Sequence, residues 1–243
     1  WPPPPWRLPG ARADWESLTP EQLRGLIRDA GIVGLGGAAF PTHVKLSPPA
    51  DKPVDTLVIN GAECEPFLTC DHRAMLEETA AVALGIRILQ RALGVPRVVV
   101  GIELNKPDAI AALTQALAGA PGVEVVGCRV KYPQGAEKQL VKALLDREVP
   151  PPPGLPLDVG VVVQNVGTAA AVARAVTEGV PLIERVLTVS GSAVKEPANL
   201  RVRLGTPFPA LLAACGGLVE EPTKVVMGGP MMGVAQADLD APV

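Results

Sequence analysis

Short apolar runs that alternate with helical patterns constrain this chain more than any other feature of its sequence. Four runs rich in Val and Ile have the length and composition of buried strands: DTLVIN, RVVVGI, VEVVGCRVKY and VGVVVQNV. Segments with helical periodicity lie between them. Strands that alternate with helices join through crossover connections, which makes the sheet parallel. We therefore predict an α/β fold built on a Rossmann-like parallel sheet.

Capping residues indicate where two of the helices begin and end. Thr19 and Gln22 have the spacing of a capping box at the start of the first helix, and Gly31 ends it. Asp71 is a candidate cap for a long helix that runs to about Leu93. We expect each to form one uninterrupted helix.

The pattern changes near Val180. The segments ERVLTVSGSAV and ANLRVRLG predict a hairpin, PFPALLAACGG a short helix and KVVMGG a further strand, which together suit a small β-grasp unit. At the other end, WPPPPWRLPG predicts an extended polyproline arm. We place the boundary between the two folded units at Pro181–Arg185. The predicted domains are an N-terminal arm at 1–18, an α/β domain at 19–180, a β-grasp domain at 181–234 and a tail at 235–243.

Composition argues against several classes of protein. A chain of 243 residues with a net charge of −3 and no basic stripe is a poor match for a nucleic-acid-binding protein. No uncharged apolar run is long enough to span a bilayer, and we expect no signal peptide. The 4 cysteines lack C-x-x-C spacing and the 2 histidines are not spaced as zinc ligands, so we expect neither a metal site nor a disulfide framework. Because the chain starts at Trp1 without Met, we expect it to be a piece of a longer protein.

The glycine-rich stretch GIVGLGGAAFPTHVK at Gly31–Lys45 is a candidate ligand-binding loop. Within it, GLGGAA matches the dinucleotide fingerprint G-x-G-x-x-A, but that fingerprint must follow a strand, whereas here it follows a helix. A Walker loop is excluded because the sequence contains no G-K-[ST]. Alone, the loop indicates backbone that approaches a flat or phosphorylated group, and a glycine-rich turn without a ligand stays equally open.

Polar groups follow three of the four predicted strands. They are Asn60, Glu63 and Glu65 after the first, Tyr132, Gly135 and Glu137 after the third, and Asn165 and Thr168 after the last. Each of these residues alone could be a helix cap, a turn residue or a solvated acid. Ligands of open α/β sheets, however, bind outside the carboxyl ends of the strands, often at helix N-termini. The repeated position therefore favours one shared binding crevice.

Together these segments resemble a known family. They are GIVGLGGAAFPTHVK, NGAECEPFLTCDHR, KYPQGAEKQL, QNVGTAAAV and MGGPMMG. Similar segments occur in the same order in RnfC, which is part of the membrane-bound, ion-translocating ferredoxin:NAD oxidoreductases known as Rnf complexes. The flavin-binding, NADH-oxidising subunit of respiratory complex I is more distantly similar. The resemblance covers nearly the whole chain after Trp15.

The resemblance implies a non-covalent FMN site. The residues that match its cofactor-binding positions are Gly36, Gly37, Lys45, Asn60, Glu63, Glu65, Gly135, Asn165 and Thr168. The positions for the substrate NADH are Phe40, Glu65 and Glu137; Phe40 matches the ring that stacks on adenine, and the two acids are also the candidate catalytic residues. No metal ligands are implied in this chain. The small second unit resembles the family's SLBB domain, which is a β-grasp module.

Three positions depart from the pattern of the complex I protein. Leu35 stands where that protein has Arg, although RnfC-type loops carry Leu. Ala39 stands where glycine is usual, so the backbone there must avoid positive φ or tolerate strain. Ala136 replaces the first of two acids, so the nucleotide site departs further from that pattern than the flavin site does. We also expect the biotinyl-like N-terminal domain and the C-terminal 4Fe–4S domain of RnfC-like chains to be absent from this sequence.

The resemblance implies an electron-transfer role. We expect a peripheral subunit on the cytoplasmic face of the bacterial inner membrane, which passes electrons between NAD(H) and 4Fe–4S clusters through FMN while other subunits of an Rnf-type complex translocate ions. A related flavoprotein, the cobalamin reductase of propanediol metabolism, is an alternative that gene neighbourhood would distinguish. A binding or scaffold module with a decayed flavin site is a third hypothesis, which flavin absorbance would exclude.

Overall fold

A four-stranded parallel sheet organises the larger part of the molecule. The computed structural model of the protein describes residues 7–240 and 242. Its sheet has the order β3-β2-β1-β4, and every neighbouring pair is parallel, as the alternating pattern predicts. The strands are β1 (Thr56–Gly61), β2 (Arg97–Glu103), β3 (Val123–Cys128) and β4 (Val161–Asn165).

Helices cover both faces of this sheet. They are α1 (Pro20–Asp29), α2 (Thr42–Lys45), α3 (Cys70–Glu77), α4 (Thr79–Leu93), α5 (Pro107–Ala116), α6 (Glu137–Leu145) and α7 (Val166–Glu178). Alternate strand residues point to opposite faces. Leu57 and Ile59 therefore join the main core with α1, α4 and α7, whereas Val58 packs against Leu140 and Val141 of α6. Both faces are apolar because both are buried.

Helices α4 and α7 approach each other unusually closely. A Cβ placed on Gly85 of α4 would lie 1.8 Å from the carbonyl oxygen of Ala169 in α7. The facing stretch of α7 is rich in alanine, and Ala169, Ala170 and Ala173 are all buried. Small side chains on both helices therefore set the distance between them.

Two predicted elements differ from the observed ones. The helix expected from Asp71 to Leu93 is two helices, which meet at Glu78, because the Glu78 carboxylate turns outward to pair with Arg174 and Arg201. Asp71 is not its cap: Thr69 holds the N-cap position and Asp71 lies in the first turn. The third strand stops at Cys128, short of the predicted end, because its partner β2 stops at Glu103, which pairs with Cys128.

The segment before α1 packs on the α/β unit. Residues 1–6, which carry most of the predicted polyproline arm, lie outside the described residues. From Leu8 onward the chain is attached: the Leu8 N–H donates to the carbonyl of Gly179 (2.8 Å), and the Arg12 N–H donates to that of Val176 (2.9 Å). Trp15 is buried in the main core. The second half of the predicted arm is therefore part of the folded unit.

The segment after Pro181 forms a small unit of its own. The predicted hairpin is β5 (Glu184–Val189) with β6 (Ala198–Arg203), and the predicted helix is α8 (Phe208–Ala214). The last predicted strand is reduced to β7 (Val226–Met227), which pairs with β8 (Val234–Ala235). Across the described residues, no helix combines the length and apolar character needed to cross a membrane.

Candidate functional site

The carboxyl ends of β1 and β4 form a crevice at one edge of the sheet. Asn60 at the end of β1 is in register with Asn165 at the end of β4. The chain leaves β1 toward β2 and β3 on one side and returns to the other side through β4. Such a reversal of strand order is the usual ligand-binding position in open α/β sheets.

The glycine loop, residues 34–40, sits over this crevice. Its base is closed by the Gly34 N–H, which donates to the Phe40 carbonyl (2.9 Å), and its Leu35 N–H donates to the hydroxyl of Thr168 (2.9 Å). A Cβ on Gly36 would lie 3.3 Å from the Cβ of Asn165. The second of the two outcomes expected at Ala39 is observed, since Ala39 has a φ of 51°. The loop therefore holds a strained, left-handed residue at its tip.

The tip of the glycine loop carries unused hydrogen-bond donors. Among the described residues, the backbone N–H groups of residues 36–39 donate no hydrogen bond, and all four residues are exposed. Gly37 adopts a φ of 133°, a conformation that favours glycine. Successive free N–H groups in a tight loop form a concave site for anions.

Asn165 and Thr168 support this loop from below. The Asn165 side chain caps α7 by accepting the N–H groups of Gly167 (2.8 Å) and Thr168 (3.3 Å). Thr168 is fully buried and its hydroxyl is taken by Leu35, so its side chain lies beneath the loop and not in the crevice. The sequence predicts a direct ligand contact for both residues, whereas the observed contacts give them an indirect effect through the loop.

Asn60 and Gly135 join the end of β1 to the start of α6. The Asn60 amide donates to the carbonyl of Gly135 (2.8 Å), and its oxygen accepts the Ala62 N–H (3.0 Å). The Gly135 N–H donates to the Sγ of Cys64 (3.1 Å). A Cβ on Gly135 would lie 2.1 Å from the Ala62 carbonyl oxygen, so only glycine fits there. Close packing therefore requires glycine at this predicted site position.

A half-buried ion pair lies beside them. The Lys45 ammonium contacts the Glu137 carboxylate (3.1 Å) and donates to the carbonyl of Val163 (3.1 Å). Glu137 is the first residue of α6, whose cap residue Ala136 makes no side-chain cap. The positive end of α6 is thus open toward the crevice.

Glu63 and Asp71 form a second charged group behind the crevice. The two oxygens of Glu63 accept the N–H groups of Asp71 (2.9 Å) and His72 (3.1 Å), so Glu63 caps α3 in the role expected of Asp71. The Asp71 carboxylate accepts the Asn165 amide (2.6 Å). Burial, and then the nearby Glu63 carboxylate, raise the pKa of Asp71 to about 7. Burial likewise raises the pKa of the Cys70 thiol to about 12, which keeps that thiol protonated.

A cavity of about 350 Å³ opens next to the crevice. Its lining includes Glu63, Glu65, Phe67, Glu103, Lys106 and Tyr132. The buried Lys106 ammonium contacts Glu103 (3.0 Å), whose other oxygen, Oε1, is buried without a hydrogen bond from any described residue. Sequence reasoning missed this pair, although it follows the second strand as the other polar groups follow theirs. Phe40 is 47% exposed on the glycine loop and does not line the cavity.

Contacts link most of the predicted residues into one surface. The glycine loop, Lys45, Asn60, Gly135, Glu137 and Asn165 surround the crevice, and Glu63 and Glu65 line the adjoining cavity. Within the described part of the chain, no group of three or more His, Cys, Asp or Glu side chains is placed to hold a metal ion. The arrangement offers backbone donors and one cation for an anion, and carboxylates for hydrogen-bond donors.

Family comparison defines the class of protein. The sequence model of the Nuo51 FMN-binding domain matches residues 27–174, and that of the SLBB domain matches residues 186–235. The chain belongs to the Nuo51 FMN-binding domain family. An α/β flavin-domain fold followed by an SLBB unit is therefore confirmed.

Individual relatives are more specific. The chain is 55% identical to the RnfC-type subunit of the proton-translocating ferredoxin:NAD(+) oxidoreductase complex of Clostridium ljungdahlii, over 97% of this chain and 51% of that protein. It is 49% identical to the corresponding subunit of the ion-translocating oxidoreductase complex of Rhodobacter capsulatus, over 94% of this chain and 44% of that protein. The resemblance inferred from the motifs is thus confirmed, and the chain spans about half the length of the curated relatives it matches.

Solved structures agree on the fold. A chain of an NAD+-reducing [NiFe]-hydrogenase in the H2-reduced state superimposes with a TM-score of 0.78 at 23% identity, over 92% of this chain and 44% of that one. The air-oxidised state of such a hydrogenase gives the same TM-score at 22% identity, over 96% of this chain and 45% of that one. At this level of identity the match speaks to the fold alone.

Proposed function

We propose that this chain is the flavin-bearing, electron-entry part of an ion-translocating ferredoxin:NAD oxidoreductase complex, with FMN in the crevice between β1 and β4. The observation that carries the proposal is the row of free N–H groups at residues 36–39, next to a half-buried Lys45. Membership of an FMN-binding domain family supports the identity of the cofactor.

The residues around the crevice fit FMN chemically. Its phosphate needs several hydrogen-bond donors and positive charge, which the glycine loop, Lys45 and the open start of α6 supply. Asn165 and Thr168 keep the loop in place, and Asn60 and Gly135 keep the start of α6 against β1. Bound FMN would supply the exchange of a hydride for single electrons.

Lys45 and Glu137 have complementary roles in the proposal. Lys45 neutralises negative charge on the bound flavin, while Glu137 and the Val163 carbonyl hold the ammonium in place. Glu65, and less directly Glu137, accept hydrogen bonds from the nucleotide substrate. Phe40 is exposed on the rim, where its ring is free to stack on a base. Asp71 and Glu63 stay behind the crevice and hold Asn165 and α3 in place.

The wider assignment rests on the relatives. Two of them, each about half covered by this chain, are named as subunits of a ferredoxin:NAD(+) oxidoreductase complex. On that basis we infer NADH as the nucleotide, the other subunits of an Rnf-type complex as partners, 4Fe–4S clusters outside this chain as electron acceptors, and a peripheral position on the cytoplasmic face of the inner membrane. The names favour this role over the cobalamin reductase alternative.

Two substitutions separate flavin binding from nucleotide binding. Lys45→Ala removes a charge-assisted hydrogen bond and should weaken FMN binding by roughly ten- to a hundredfold. Phe40→Ala should leave FMN affinity nearly unchanged and weaken NADH binding by roughly ten- to a hundredfold, the value of a base–aromatic stack. FMN fluorescence quenching and calorimetric titration of NADH measure the two affinities.

Lys52→Ala is the matched control for Lys45→Ala. Lys52 precedes β1 and pairs with Asp158 (2.6 Å), which precedes β4, so it lies at the amino edge of the sheet, away from the crevice. Unchanged FMN affinity in Lys45→Ala would contradict the proposed flavin site. A joint loss of FMN binding and melting temperature in Phe40→Ala would withdraw the nucleotide role of that ring.

A further inference from the structure

The last loop of the SLBB unit contacts one of the predicted site acids. We call residues 228–233, which join β7 to β8, the methionine loop. One oxygen of Glu65, Oε1, accepts the backbone N–H groups of Met231 (2.6 Å) and Met232 (3.0 Å). The Gly233 N–H donates to the Gly229 carbonyl (2.9 Å) and closes the loop on itself. A carboxylate of the α/β unit is therefore held by the backbone of the SLBB unit.

Bare backbone at Gly229 makes this contact possible. Gly229 has a φ of 91°, and a Cβ there would lie 2.3 Å from the Cγ of Glu65 and 2.6 Å from its Oε1. A larger residue at this position would push the Glu65 side chain away. The glycine is required by the acid as much as by the turn.

The contact uses only one oxygen of the carboxylate. Among the described residues, none donates a hydrogen bond to Oε2 of Glu65. Glu65 lines the cavity of about 350 Å³ together with Phe67 and Tyr132. A carboxylate fixed through one oxygen presents the other to a ligand in a single orientation, which lowers the entropy lost on binding.

We propose that the methionine loop is a positioning element of the nucleotide site: it fixes Glu65 so that the free carboxylate oxygen accepts a hydrogen bond from a hydroxyl or amide group of the nucleotide. This inference rests on the proposed function, in which Glu65 faces NADH. It gives the SLBB unit a direct part in nucleotide binding and none in FMN binding. Two adjacent N–H donors also favour the ionised carboxylate, which is the better acceptor.

A pair of glycine substitutions tests the proposal. Gly229→Ala and Gly205→Ala introduce the same side chain at nearly the same backbone conformation, with φ values of 91° and 92°. A Cβ on Gly205 meets no atom within 4 Å, so this control carries the backbone strain without the collision at Glu65. Gly229→Ala should raise the dissociation constant and the KM for NADH about tenfold relative to Gly205→Ala, the value of one hydrogen bond to a charged group. The kcat with ferricyanide and the affinity for FMN should change little in either variant.

Amide hydrogen exchange tests the contact itself without any cofactor. Glu65→Ala should accelerate exchange at the Met231 and Met232 amides. The Gln236 amide, which donates to the Val225 carbonyl (2.9 Å) in the same unit, is the internal reference and should keep its rate. Equal exchange at Met231 and Met232 in both proteins would overturn the proposal, because the loop would then not hold Glu65.

The outcomes separate this inference from the proposed function. If the unmodified chain binds FMN and NADH but the two glycine variants bind NADH equally, the positioning role is wrong and the flavin site stands. If the unmodified chain binds FMN but not NADH, the inference is also wrong. If it binds no FMN, the flavin assignment fails, and the exchange rates still decide whether the loop holds Glu65.

Discussion

Asp71 shows how one buried carboxyl can connect the protonation state of the protein to its candidate site. It accepts the Asn165 amide, and Asn165 in turn caps α7 and lies against Gly36 of the glycine loop. Glu63, the nearest acid, disfavours its ionisation, while Arg185 and Lys106 act weakly in the opposite direction. Burial dominates and raises the pKa of Asp71 from 3.8 to about 7.

Stability should therefore depend on pH through this residue. Because the folded pKa exceeds the unfolded one, the native state holds a proton that the unfolded state has lost between about pH 4 and pH 7. The contribution is fully present below the unfolded pKa and is lost as the pH rises through about 7. Asp71→Asn keeps a neutral side chain at all pH values and should remove this part of the decline. Urea unfolding of both proteins between about pH 5 and pH 8 measures it, and parallel stability curves would contradict the assignment.

At the scale of the elements, the distance between α4 and α7 is the feature most exposed to mutation. Gly85→Ala would place a Cβ 1.8 Å from the Ala169 carbonyl, so the helices must separate. We expect a loss of about 1–3 kcal/mol of unfolding free energy, as overpacked cores show. Thermal and urea unfolding measure the change.

Gly25→Ala is the matched control on another helix. Gly25 lies inside α1, and a Cβ there meets no atom within 4 Å, so alanine should gain about 0.5–1 kcal/mol from helix propensity. Destabilisation of equal size in both variants would show that helix propensity or strain, and not the α4–α7 distance, is responsible.

Elements with local signals were predictable from the sequence, and elements set by distant contacts were not. The capping box of α1 needs only Thr19 and Gln22, and both of its hydrogen bonds are present. The break between α3 and α4 depends on Glu78, which pairs with arginines on α7 and β6, and no local pattern reveals those partners. The early end of β3 likewise follows from where its neighbour stops.

The candidate site shows the same division at the scale of the whole molecule. Residues after the strands were predictable because parallel strands bring their carboxyl ends to one edge. Their partners were not: Glu65 is bound by a loop 166 residues away, and Glu63 caps the helix assigned to Asp71. Thr168 was assigned to the ligand, but the fold buries it under Leu35.

Contacts between the two units centre on α3. The Thr69 N–H donates to the hydroxyl of Thr188 (3.0 Å), and Glu78 at the end of α3 pairs with Arg201 of the SLBB unit. The methionine loop adds the contact to Glu65. The second unit is thus attached at the cavity side of the site, and the crevice of the glycine loop is built by the α/β unit alone. We keep the division near Pro181–Arg185 as a proposal on this basis.

The central claim is that the glycine loop and Lys45 hold the phosphate of FMN in the crevice between β1 and β4. Fluorescence titration of this chain with FMN and with riboflavin, which lacks the phosphate, tests it most directly. Because charge-assisted hydrogen bonds to a phosphate are roughly twice as strong as neutral ones, we predict that FMN binds at least about tenfold more tightly than riboflavin. Equal affinity for the two flavins, or no binding of either, would contradict the account.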